Sequence, residues 1–176
     1  MKSLEVYAAL REELVPPLKS LGFKREKTLL SWSRQQGGQY TVLWCQVSRD
    51  GWDDYAGSKF VVEFQRSESA EAGAPSKARA RLVKLLTDDQ RAEAWRLQSR
   101  VIGDLSSPPR THPTLNVSSE VTRWYLEKFE PLRRQYSPSD DLWLRYAKPE
   151  HVRMWAEFLR RAVPGCVQAI EATQVG

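Results

Sequence analysis

The chain has 176 residues, a formal net charge of +5, and 41% hydrophobic against 28% charged residues. This composition excludes a disordered chain, and the length suits one domain, residues 1–176, able to bury roughly two-thirds of its unfolded surface. No uncharged apolar run reaches the roughly 18 residues of a membrane span, and the opening MKSLEVYAALREEL lacks a signal peptide's apolar core, so a cytoplasmic protein is expected.

Tyr7, Leu10, Leu14, Leu18 and Leu21 recur at steps of three and four, the stripe of an amphipathic helix. Pro16-Pro17 interrupts it, because proline removes a donor and clashes with the preceding turn. Two helical pieces or one kinked helix are therefore expected, ending at Gly22. A short strand is expected at Phe23 to Glu26, followed by three longer ones. In Thr28 to Arg34, Leu30 and Trp32 alternate with Ser31 and Ser33, which predicts one buried face. Gln35-Gln36-Gly37-Gly38 reads as a hairpin turn. Tyr40 to Ser48 is apolar on both faces and reads as a central strand. Lys59 to Arg66 alternates, placing Phe60, Val62 and Phe64 inward and Lys59, Glu63 and Gln65 on a wetter face.

Ser67 to Ala74 reads as a small-residue linker and Pro75 as the first residue of a helix carrying Leu82, Val83, Leu85 and Leu86. Thr87-Asp88-Asp89-Gln90 has the capping-box pattern, opening a second helix that runs to about Asp104. Ser106 to Pro113 is a loop; a helical stretch follows from Ser119 through Trp124 to Phe129, then a turn at Ser137-Pro138-Ser139. Leu142, Leu144 and Tyr146 predict a short strand. Pro149 opens the last amphipathic helix, with Val152, Trp155, Leu159 and Val163 inward and a Glu157–Arg161 pair outward. Pro164 is expected to start a separate short turn. The order of helix, strand meander and mostly helices predicts an α+β fold: an antiparallel sheet of four to five strands with helices packed mainly on one face.

Several of these segments resemble the domain-of-unknown-function family 4304. They are Leu21-Gly22-Phe23-Lys24, the strand with Trp32 and Arg34, Gln46 and Ser48, and Phe60 to Phe64. Trp143-Leu144-Arg145-Tyr146 and the helix beginning Pro149-Glu150 with Trp155 add to them. The resemblance implies a bacterial α+β domain and brings no catalytic residues.

Charge is spread evenly. Lys/Arg exceed Asp/Glu by 10 to 8 in Met1 to Arg66, 8 to 6 in Ser67 to Arg110, and 9 to 8 in Thr111 to Gly176, so there is no basic tail. Cys45 and Cys166 lack a CxxC partner or a nearby histidine and read as small buried hydrophobes. His112 and His151 have no ligand or triad partner at suitable spacing. Neither a Walker loop nor GxGxxG is present, and no cofactor is expected.

Three candidate sites remain. The loop with Asp50, Trp52, Asp53, Asp54 and Tyr55 is long for a hairpin and combines carboxylates with aromatics able to grip a partner; the plain alternative is a solvated loop with Trp52 folded back on the sheet. Glu63 and Gln65, two apart on one strand face, together with Asp53 or Asp54, resemble a degraded PD-(D/E)xK metal-dependent nuclease pattern. There glutamine replaces lysine, and simple alternation also accounts for both residues. Seven tryptophans interleaved with arginine could stack bases, although most occupy core-facing positions. The expectation is a non-catalytic binding or accessory module recognising a protein partner through Glu63, Gln65, the Trp52 loop and flanking arginines. A nucleic-acid-binding module and a degenerate metal-dependent nuclease are the alternatives.

Overall fold

The computed structural model describes residues 3–27, 30–49, 51–52, 57–105, 120 and 141–173. Helix α1 (Ser3–Ser20) leads through β1 (Lys24–Arg25) into β2 (Leu30–Gln36), β3 (Gln39–Val47) and β4 (Ser58–Ser67). After these come β5 (Ala78–Arg81), α2 (Leu82–Leu85), α3 (Asp88–Gly103), β6 (Leu144–Tyr146) and α4 (Pro149–Ala172). The fold is α+β, with an antiparallel sheet of six strands among the described residues. No helix among the described residues is long and apolar enough to cross a membrane. The expected loop at Ser106 to Pro113 with His112, the Ser119 to Phe129 helix and the turn at Ser137 lie outside the described residues, Glu120 apart.

The hairpin between β2 and β3 closes on Gln36 opposite Gln39. Gly37 and Gly38 both take positive φ, +60° and +77°, as a two-residue turn matched to the strand twist requires. Strand β4 is central. One edge pairs with β3, and the other is shared end to end: Glu63–Arg66 with β5, and Ser58–Phe60 with β6.

The inner face of the sheet carries Leu30, Trp32, Leu43, Cys45, Val62 and Phe64, all buried against the apolar faces of α1 and α4. Val6, Leu10, Leu14 and Leu18 supply α1's side at the helical repeat, and Trp155 is enclosed by α4's side with its indole N–H bonded to Arg145 O at 2.7 Å. At the far end, Glu171 of α4 reaches across this face. Its carboxylate accepts from Arg34 through Nε (2.9 Å) and Nη2 and from Thr41 Oγ1 (2.6 Å), while its backbone oxygen accepts from Arg66 Nη1 (2.6 Å). This clamp fastens the last turn of α4 to three strands.

Several local expectations are narrowed or corrected. Of the two forms expected for the first helix, the single one is found: α1 runs through Pro16 and Pro17. The carbonyls those prolines release belong to Glu12 and Glu13 on the outer side, while fully buried Leu14 and Leu18 hold the helix on its core side. Pro164 likewise lies inside α4, flanked by buried Val163 and Val167. The segment after Pro75 is first a strand, because β4 offers a free edge and the Ala78–Arg81 alternation fits it; only Leu82–Leu85 are helical. Thr87 and Gln90 form the expected capping box. Arg161 bonds Glu93 of α3 at 2.5 Å rather than Glu157, so the exposed charges of α4 tie helices together.

Candidate binding surfaces

The wet face expected on β4 is not wet. Glu63 is 5% exposed and Gln65 is fully buried, and Ser31 and Ser33, on the same sheet face across β3, are buried too. Gln65 is enclosed by the segment after β4: its Nε2 donates to Ser67 Oγ (3.1 Å) and Glu71 O (2.7 Å), and its Oε1 accepts from Gly73 N–H (2.9 Å). What reads as a linker is a fold-back loop pinned by this amide. Glu63 faces β5, where Arg79 donates to Oε2 through Nε (2.8 Å) and approaches with Nη2 (2.7 Å), and Arg81 Nε lies 3.8 Å from Oε1. The missed strand is the reason for the Glu63 correction, as the fold-back loop is for that of Gln65: β5 turns an open edge into a paired one and brings its arginines over the carboxylate.

These arginines stack on tryptophans. Arg79 lies 5.1 Å from the Trp44 ring centre, and Trp143 is flanked by Arg81 at 5.3 Å and Lys59 at 5.4 Å. Arg81 also pairs with Asp141. Cations from β4 and β5 therefore converge over aromatic rings, with Glu63 and Asp141 balancing the two arginines. Both carboxyl oxygens of Glu63 face arginine, and magnesium would have to displace those contacts. Asp50, Asp53, Asp54 and Tyr55 lie outside the described residues. Of that loop's candidates Trp52 is described, and it is 40% exposed, one of two large hydrophobics open to solvent among the described residues.

The fold gives His151 a carboxylate that sequence spacing did not. Its Nε2 sits 3.0 Å from Asp104 Oδ2 at the C-terminal end of α3, and its Nδ1 accepts the Ala147 N–H at 3.1 Å. The backbone donor fixes the tautomer, so Nε2–H donates to Asp104. Lys148 Nζ meets the same oxygen at 2.7 Å. Hydrogen bonds from Lys148 first and His151 second pull the Asp104 carboxyl down to about 2, against a smaller opposing effect of burial. Both imidazole nitrogens are occupied, so the pair fastens α3 to the start of α4 and leaves no ring nitrogen for proton transfer. Gln98 acts similarly, donating to Trp143 O (2.9 Å) and accepting from Arg145 N–H (3.1 Å) along β6.

Between α1 and the start of α4 lies a groove of about 630 Å³. Glu5, Ala9, Glu12 and Glu13 form its α1 wall. The opposite wall is Ala147 to Pro149 with Val152 and Arg153, so the floor is apolar and the rims are charged. No sequence signal marked it, because its walls lie some 140 residues apart.

Trp32, Trp44 and Trp155 are buried, in keeping with a core role, and so are both cysteines, whose thiols burial pushes up to about 12. Among the described residues no three His, Cys, Asp or Glu side chains are grouped to hold a metal. In comparisons with known proteins, no family model, curated protein or solved structure matches the chain.

Proposed function

We propose that this protein is a non-catalytic binding module that recognises a protein partner. The observation carrying the reading is the groove between α1 and α4, whose apolar floor and charged rims suit a complementary protein segment. The internal commitments of Glu63, Gln65 and His151 support it, since each of these polar groups is engaged in holding the fold. Trp52, exposed on the β3–β4 connection, is a second contact point. A cytoplasmic setting belongs to the proposal, supported by two free, buried thiols. So does a bacterial origin within family 4304, supported by the segments around Gly22, Trp32 and Trp143.

A photo-crosslinking amino acid in place of Arg153, on the groove's rim, tests the reading. The same group in place of Asp89, exposed near the start of α3, is the control. A protein captured in the native host from position 153 and not from 89 is the expected result; equal capture at both, or none, overturns the reading.

The convergence of Lys59, Arg79 and Arg81 over Trp44 and Trp143 favours one second reading, a nucleic-acid-binding module. It requires salt-dependent binding of single-stranded oligonucleotides, and no binding at low ionic strength removes it.

A further inference from the structure

We propose that the groove between α1 and α4 takes a basic, partly apolar peptide segment of the protein partner, with lysine or arginine side chains meeting Glu12 and Glu13 and apolar side chains covering Ala9, Pro149 and Val152. The proposal rests on the binding-module reading and gives its partner a chemistry.

The charge balance of the two walls is the first ground. On the α4 side the cations are already engaged: Lys148 Nζ lies 2.7 Å from Asp104, and Arg153 Nη2 donates to Glu150 at 3.0 Å. On the α1 side the carboxylates are in excess. Glu13 is approached by Arg160 at 3.5 Å, across a contact open to solvent, and Glu12 stands exposed with no ion pair among the described residues. The groove is thus locally negative on a chain whose net charge is +5. A cationic occupant is selected and a phosphate-bearing one repelled.

Spacing is the second ground. Glu5, Ala9, Glu12 and Glu13 fall at offsets of four, seven and eight, one stripe of α1. Glu12 and Glu13 close that stripe on neighbouring positions, and basic side chains two or three positions apart in an extended segment, at about 3.3 Å per residue, reach both carboxylates. The floor is the third ground. Ala9, Ala147, Pro149 and Val152 present carbon rather than polar atoms, and Leu4, beside Glu5, is 78% exposed. Apolar surface of this kind is covered by side chains of a peptide, whereas a polyamine of charge and short methylene runs leaves it largely wet.

The test uses defined probes on the full chain. A fluorescein-labelled decapeptide of repeating lysine, leucine and glycine (KLGKLGKLGK) is titrated by anisotropy beside its glutamate counterpart, with spermine as competitor. The lysine peptide is expected to bind, to weaken as salt is raised from about 0.05 M to about 0.5 M, and to shift amide resonances of Glu5 to Glu13 and Ala147 to Arg153. The double change Glu12→Gln/Glu13→Gln should weaken it about tenfold. Asp88→Asn/Asp89→Asn, which removes the same charge from the exposed start of α3, should leave it unchanged. Failure of the lysine peptide to bind, equal binding of the glutamate peptide, equal loss in both double variants, or displacement by spermine at comparable concentration overturns the proposal. Specific capture from position 153 alongside such a failure leaves the binding-module reading standing and removes only the basic-segment chemistry.

Discussion

Replacing Glu171 by alanine removes the centre of the clamp that joins α4 to β2, β3 and β4. Three side-chain hydrogen bonds are lost: those from Arg34 Nε and Nη2 and that from Thr41 Oγ1. All three end on the ionised carboxylate and are charge-assisted, each worth about 1.5–3 kcal/mol when well buried. The two side chains are 19% and 17% exposed, so water recovers part of that loss. Arg34 also keeps its bond to Leu21 O at 2.8 Å and its place 5.2 Å from the Phe23 ring centre, and Arg66 keeps the backbone oxygen of residue 171. The expected cost is about 2–3 kcal/mol for Glu171→Ala and about 1 kcal/mol for Glu171→Gln, which keeps an acceptor in place. In melting temperature the alanine change amounts to about 5–10 °C.

Urea unfolding followed by far-ultraviolet circular dichroism measures both variants, and a double-mutant cycle with Arg34→Ala should return a coupling of about 1–2 kcal/mol. The sign is diagnostic. A carboxylate in the last turn of a helix opposes the helix dipole by about 0.3–1 kcal/mol, so without the clamp its removal would stabilise the protein. A stabilised Glu171→Ala variant, or a coupling near zero, would refute the clamp.

Acid should weaken the fold. Asp104 is held at about 2, and Glu171 is also lowered: its burial acts upward, but the hydrogen bonds from Arg34 and Thr41 and the charges of Arg34 and Arg66 outweigh it. Carboxylates that ionise more readily when folded stabilise the fold above their unfolded values, 3.8 and 4.5, and that contribution is lost as pH falls below them, for Asp104 on the way to about 2. Urea midpoints should fall across that window, and less steeply in Asp104→Asn; a flat profile would contradict the assignment. Gly57→Ala should cost more than 2 kcal/mol, to order of magnitude, because at φ +62° the added Cβ would lie 2.2 Å from Tyr146 O. Gly51→Ala, at φ +77° with no described atom within 4 Å of the added carbon, should cost about 1 kcal/mol, and equal melting shifts in the two would refute the close approach to β6. Glu63→Ala should lower stability by about 1–2 kcal/mol, discounted because Arg79 is half exposed; an unchanged urea midpoint would restore Glu63 as a free functional carboxylate. Cys45 and Cys166 should react with a maleimide only at the rate of unfolding, and fast stoichiometric labelling of the folded chain would contradict their burial.

The features legible in sequence were those set by neighbours along the chain. The stripe Leu10, Leu14, Leu18, the glycine pair at 37–38, the Thr87–Gln90 box and the Leu144–Tyr146 strand each depend on spacing within a few residues, and each is present. The errors share the opposite cause. Ala78–Arg81 has no strong local preference, and hydrogen bonding to the free edge of β4 decided its conformation. Pro164 carries a real local penalty, which burial of Val163 and Val167 on either side overrides.

The candidate sites follow the same division. Alternation put Glu63 and Gln65 on one strand face, as found, but could not say what covers that face: a β5 arginine pair and the loop from Glu71 to Gly73 do so. His151 with Asp104, Glu171 with Arg34, and the groove between α1 and α4 join residues 47 to roughly 140 positions apart. By itself the sequence determined the fold class, most elements and the alternation of their faces, because these arise from backbone geometry and nearby side chains. Which charges are paired and which surface stays open was decided only by tertiary structure, because a carboxylate's partner is whichever cation packing brings within about 3 Å.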